Sequence, residues 1–331
     1  MHPYLRPPFT NLIRNYRSHP AILAVPSALF YHDTLVPEAT NTEYLEGWAG
    51  WKGRRGVPIK FCLNGGQDEW HEEGVSFYNL REIKIACNIA KDLVASGLIQ
   101  PHEIAIMAQF REQIKRLRRA LRSSTYNLRD VNVGAVEIYQ GSEHKFVIIC
   151  TTRSRERFLE GDLDRGLGVV FENRRVCVAM TRAKQGLIVV GNPWILGKDP
   201  VWRAWMGFAW RHDAVEKDPF EEVENSRAQV DAAEATSPPL MPDGSQTSVV
   251  VNGSGKQAEL KVNFWQPPED ERETPQYISR LETAMVYKAR ATNGYGGMLS
   301  GINGGFDEDD PMWTAGIVAE EAVRGGANVG K

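Results

Sequence analysis

Five short apolar runs, at residues 58–62, 104–108, 131–138, 146–151 and 187–191, constrain the fold of this chain most. They are mostly β-branched and have strand length. Helix-like stretches separate several of them. Asn79 can cap a helix, with Glu82 three residues on. Ile83, Ala86, Cys87, Ile89, Ala90 and Leu93 then recur at helical spacing, and Gly97 ends the stretch. Residues 21–30, after Pro20, read as another helix. Strand-like runs alternating with helices predict an α/β fold, a parallel sheet covered on both faces.

At 331 residues the chain is long enough for about two domains. No apolar stretch reaches the ~18 residues of a membrane span, so no membrane partner is expected. The start of the chain shows no signal-peptide pattern. Cys62, Cys87, Cys150 and Cys177 form no C-x-x-C pair and sit among apolar neighbours, which predicts buried free thiols rather than a zinc site. Histidines and carboxylates show no metal-ligand spacing.

The net charge of −3 hides an asymmetry. Residues 1–200 hold 27 Lys and Arg against 21 Asp and Glu; the remainder holds 12 against 21. A mildly basic domain followed by an acidic tail suits a nucleic-acid-binding motor. Residues 41–57 and 64–74 look like surface loops. Trp202, Trp205, Phe208 and Trp210 predict a last amphipathic helix that docks on the domain. From 216 to 273 the chain is acidic and rich in Ser, Pro and Gly, a composition that predicts disorder. A short helix is expected at 278–290. The segment 307–313, Asp-Glu-Asp-Asp-Pro-Met-Trp, reads either as an inert acidic terminus or as a docking peptide for a protein partner. Gly253-Ser254-Gly255-Lys256 only imitates a phosphate loop: Val250 stands where the first glycine belongs, and Gln257 cannot bind Mg²⁺ as Ser or Thr would.

Three segments carry the chemistry. Asn15-Tyr16-Arg17-Ser18-His19-Pro20 and Val178-Ala179-Met180-Thr181-Arg182-Ala183-Lys184 each set a fixed cation beside groups able to hold it in one direction. Tyr139-Gln140-Gly141-Ser142-Glu143 lies between them, a turn before an apolar run. In this order they resemble the second motor domain of superfamily 1B helicases of the nonsense-mediated-decay type, over roughly residues 5–210. The Asn-Tyr-Arg-Ser-His form is most similar to the Armitage branch, the Moloney leukaemia virus 10 homologue RNA helicases.

The resemblance implies a RecA-like domain of the P-loop NTPase superfamily over 1–210, a helicase C-terminal domain of AAA type, with a mostly disordered acidic tail over 211–331. It implies ATP with Mg²⁺ as cofactor and RNA as partner. Arg182 would be the arginine finger and Arg17 a second catalytic arginine. A guanidinium suits this role because it stays charged and its fork matches two phosphoryl oxygens. Tyr16 would pack on the base. Gln140, Gly141 and Glu143 would complete the nucleotide side and couple it to nucleic acid, with Glu143 accepting from a ribose or orienting Arg182. Thr152, Arg153 and Arg111 would lie on the nucleic-acid path. Where relatives write Pro-Tyr, this chain has Gln109-Phe110. On the helix that follows, Arg111, Lys115, Arg118 and Arg122 share one face, either as phosphate contacts or as a solvated basic surface. His19 is expected to hold the turn after Arg17 by hydrogen bond.

No phosphate loop and no acidic Walker B pair precede Asn15. The resemblance therefore places the phosphate lysine, the Mg²⁺ ligands and the water-activating acid on a missing first RecA-like domain, and the chain alone is expected to be inactive. The expected setting is cytoplasmic RNA silencing, with the nucleus as a second location. Two other readings stand beside this one: a non-catalytic RNA- or protein-interaction fragment, and a DNA helicase of the same superfamily.

Overall fold

The structure, a computed structural model, describes residues 12–51, 56–71, 76–220, 266–269 and 279–285. The chain opens with β1 (Arg14–Asn15), α1 (Pro20–Phe30), β2 (Val36–Pro37) and β3 (Ile59–Leu63). A hairpin, β4 (Glu69–His71) and β5 (Ser76–Tyr78), leads to α2 (Leu80–Ala95) and β6 (Ile104–Met107). Then come α3 (Arg111–Arg122), β7 (Asn132–Gly134), β8 (His144–Cys150), α4 (Leu159–Asp164) and α5 (Asn173–Met180). The last elements are β9 (Ala183–Gly191), α6 (Pro193–Leu196), α7 (Pro200–Arg211) and β10 (Val215–Glu216).

Six strands pair in parallel in the order β10-β3-β9-β8-β6-β7. Side chains alternate across the strands, so the four central ones, β3, β9, β8 and β6, feed two cores. Val147 and Ile149 of β8 join Ile59, Phe61, Leu187 and Val189 in a core shared with α1, α5 and α7. Phe146, Ile148 and Cys150 face the other way, into a core shared with α2 and α3. This is the parallel α/β sheet that the apolar runs predict, with both faces covered, and it is consistent with the RecA-like fold that the resemblance implies.

Several boundaries differ from the sequence reading. The run 131–138 is not one strand: β7 stops at Gly134, and a 3₁₀ turn over Val136–Tyr139 follows. Ile138 folds back over Gly134, where a Cβ would meet Ile138 Cδ1 at 2.0 Å. Within the supposed surface loop at 41–57, Leu45 and Trp48 are buried, and Trp51 stacks on Phe146. Within 64–74, Asp68 is buried and β4 forms. Of the four thiols, Cys177 is only half-buried; Cys62, Cys87 and Cys150 are buried as expected.

The folded unit also runs past 210. β10 adds an edge strand to the sheet. Asp218 accepts from the Gly65 backbone and from Arg81, both at 2.8 Å. Residues 280–285 are helical, within the helix expected at 278–290. Leu281 and Met285 of that segment pack on the core, and Glu282 takes a two-pronged ion pair from Arg211. On α7, Trp202, Trp205 and Phe208 are fully buried, so the helix docks as expected. The peptide 307–313 and the segment 253–256 lie outside the described residues.

Candidate functional site

Because β8 and β9 are parallel, their amino ends lie at one edge of the sheet and their carboxyl ends at the other. The turn Tyr139–Glu143 enters β8, and Thr181-Arg182 enters β9, so both arrive at the amino edge. The backbone from Asn15 to His19 comes to the same place, since His19 N–H donates to Lys184 O at 2.8 Å. Asn15 Oδ1 accepts from the N–H of Arg17 and of Ser18, both at 2.9 Å, and fixes the bend that presents Arg17. His19 ends the bend: its Nδ1 accepts from Ala21 N–H at 3.1 Å and caps α1, while Nε2 faces Glu46 at 3.2 Å. Pro20 at the first helical position completes that start.

Two guanidiniums converge here. Arg17 donates from Nε to Glu143 Oε2 at 2.7 Å and from Nη1 to Thr181 O at 3.3 Å. Arg182 donates to Val178 O at 3.1 Å, to Ser142 O at 3.3 Å and to Thr181 Oγ1 at 3.3 Å. Every acceptor of Arg182 is neutral; no carboxylate hydrogen-bonds it among the described residues. Burial, and then the neighbouring Arg17 charge, hold Arg182 below an arginine's ordinary value, yet an arginine stays protonated at any physiological pH. Glu143 is shared, with Lys184 Nζ on its other oxygen. The bonds from Lys184 and then Arg17 hold its carboxyl below the usual range.

The cluster thus sets three cations near one carboxylate, with one guanidinium aimed by two carbonyls and a hydroxyl, and the group carries net positive charge. Gly141, at φ +84°, makes the tight turn that brings Glu143 in, and Ser142 N–H closes it on Tyr139 O at 3.0 Å. Gln140 is exposed beside it and Tyr16 is 68% exposed, its ring open to a partner. Lys184 was not singled out as a site residue in the sequence. Its signal was there: in Thr-Arg-Ala-Lys, positions 182 and 184 lie two apart at a strand start and so share a side.

The carboxyl edge behaves differently. Arg153 is 2% exposed. Asp162 grips it with both oxygens, Asp68 accepts from Nη1 at 3.0 Å, and its guanidinium lies 3.7 Å from the Phe77 ring centroid. Thr152 is fully buried at φ +69°, the centre of a γ-turn in which Arg153 N–H donates to Thr151 O at 2.8 Å. Both oxygens of Glu82 accept the Thr152 N–H at 2.9 Å and hold that turn. The nucleic-acid contacts expected of Thr152 and Arg153 are therefore corrected: strain and a buried ion-pair cluster turn both residues inward. Glu82 is likewise committed to this loop instead of reaching back to its own helix cap. Arg111 is exposed at the start of α3, where a contact would be accessible.

Among the described residues, no group of three or more His, Cys, Asp or Glu could hold a metal ion.

Comparisons with known proteins identify the family. A family model described as an AAA domain matches residues 4–194. The putative helicase MOV-10 of Gallus gallus is 36% identical over 228 residues, 64% of this chain and 24% of that protein. RNA helicase Mov10l1 of Homo sapiens is 34% identical over 206 residues, 60% of this chain and 16% of that protein. ATP-dependent helicase upf1 of Schizosaccharomyces pombe is 32% identical over 196 residues, 58% of this chain and 20% of that protein. The chain spans a quarter or less of the length of these relatives. It carries the AAA domain of a superfamily 1 helicase, and it belongs to the nonsense-mediated-decay-like family, in the branch of the MOV-10 proteins.

Proposed function

We propose that this domain is the second motor half of an ATP-dependent RNA helicase and supplies the arginine side of an ATP site shared with a first RecA-like domain. The observation that carries this is the meeting of Arg17 and Arg182 at one edge of the sheet, Arg17 paired with Glu143 and Arg182 held by neutral oxygens only. A guanidinium whose charge is not cancelled in the resting protein can stabilise the charge that develops on a transferring phosphoryl group. Arg17, tied to Glu143 through Nε and to Thr181 O through Nη1, keeps Nη2 for phosphate oxygens. Tyr16 offers its exposed ring to the base.

RNA as the polymer follows from relatives that are named as RNA helicases. A motor that steps along a strand grips backbone rather than sequence. The Mg²⁺ ligands and the phosphate cradle belong to the first motor domain in this reading. The setting proposed is the cytoplasm.

The experiment is ATP turnover by purified 1–331. The expected result is no RNA-stimulated phosphate release, since one side of the site lacks the metal and the cradle. RNA-stimulated release that disappears in Arg182→Ala would contradict the division of labour proposed here.

A further inference from the structure

A groove of about 900 Å³ runs between α3 and the 134–138 segment. Its charged lining comes from one helix: Arg111, Lys115, Arg118, Arg119 and Arg122. Ile138, 62% exposed, forms the apolar wall opposite, and no carboxylate lines the groove. We propose that this groove tracks the phosphate backbone of single-stranded RNA along α3, beyond any contact at Arg111. The polymer's identity rests on the function proposed above; the groove's preference for a polyphosphate strand does not.

Four observations favour a strand of phosphates over a merely solvated face. First, Arg118 is fixed, donating from Nε at 3.1 Å and from Nη2 at 2.6 Å to Val133 O, the carbonyl of edge strand β7. Second, Arg111, Arg119 and Arg122 are exposed and make no hydrogen bond or ion pair among the described residues. Third, the acids beside the first groove are already engaged: Glu112 is buried and takes Arg116 and Lys115, and Glu137 takes Arg175; Asp130 lines only the second cavity. Fourth, the groove leads somewhere. α3 starts at the carboxyl edge of the sheet and spans about 18 Å at 1.5 Å per residue. A second cavity of about 530 Å³ shares Arg118, Arg122 and Ile138 with the first and reaches Ser142. Ser142 O is an acceptor of Arg182. A strand seated along α3 would thus lie against the turn that holds the proposed arginine finger. The exposed apolar Ile138 offers a surface for a base or sugar, and the arginine planes can stack.

The test is fluorescence anisotropy with the full chain and a labelled oligouridylate of about 16 nucleotides. Affinity is measured across a series of salt concentrations for the wild type and for Arg119→Gln with Arg122→Gln. These side chains are exposed and unpartnered, so an unchanged melting curve should accompany the variant. Removing two phosphate contacts should weaken binding about tenfold and lower the salt slope by about 1.4, at roughly 0.7 per phosphate on a single strand. Arg119→Lys with Arg122→Lys should restore the slope. An unchanged affinity and slope in the glutamine variant would overturn the groove, as would failure of the wild-type chain to bind the oligomer. Tighter binding of polyglutamate than of RNA at equal charge would also overturn it and point to an acidic protein partner. None of these failures touches the nucleotide reading, which stands or falls on Arg182 and phosphate release.

Discussion

Two Thr-Arg pairs sit at opposite edges of the same parallel sheet and do opposite things. Thr152-Arg153 follows the carboxyl end of β8; Thr181-Arg182 precedes the amino end of β9. Arg153 is buried, doubly paired with aspartates and caged by Phe77, Phe110 and Phe158. Arg182 is half-buried and bound by carbonyls and one hydroxyl. The lesson concerns the acceptors. An arginine whose partners cancel its charge fastens the fold, whereas one whose partners only aim it keeps that charge for a ligand.

Breaking the buried pair should have the largest effect on stability. Arg153→Ala leaves Asp162 without its cation and Asp68 with Arg155 alone, a loss of about 3–5 kcal/mol. For a domain of this size that is a fall in melting temperature of roughly 6–20 °C, readable by calorimetry. A smaller loss, about 1–3 kcal/mol, is expected for Asp218→Ala, which removes one acceptor from Arg81 and the acceptor of the Gly65 N–H. Chemical denaturation would show it, and an unchanged midpoint would mean that the segment after α7 contributes nothing to the fold.

A pH series sharpens the comparison at the carboxyl edge. Burial pushes the Glu82 carboxyl up to about 8, against the hydrogen bonds from Thr152 and Thr151 that pull it down. Between its ordinary 4.5 and about 8 the unfolded chain gives up this proton while the folded chain keeps it. This group's contribution to stability therefore falls as pH rises through that window. Glu82→Gln should flatten that decline in melting temperature, whereas a slope unchanged from wild type would show that Glu82 does not cause it. The smallest effect belongs to the other pair: Arg182→Ala should change stability by no more than about 0.5 kcal/mol, because its partners are neutral oxygens and no ion pair is lost.

The sheet was legible because strands buried on both faces leave uninterrupted apolar runs, as 146–151 and 187–191 do. The run 131–138 misled because Ile138 turns back over Gly134, a tertiary contact that no periodicity announces. Trp48 and Trp51 looked like loop residues because the glycines around them signal turns; their burial depends on Phe146, about a hundred residues away. At the site, the motifs brought Arg17, Glu143 and Arg182 together. They could not tell Arg153 from Arg182, because the partners that decide it, Asp68 and Asp162, lie in segments without a motif. Likewise, composition set the tail's start too early, since the short β10 and Asp218 act through distant partners.

The central claim, that Arg182 keeps its charge for a phosphoryl group while Arg153 gives its charge to the fold, is tested most directly by ATP turnover. The protein to use joins this domain to a first motor domain, assayed at saturating RNA. Arg182→Ala should cut turnover by about 10³-fold or more while leaving the melting temperature and RNA affinity near those of the wild type. Turnover close to normal in that variant would contradict the account.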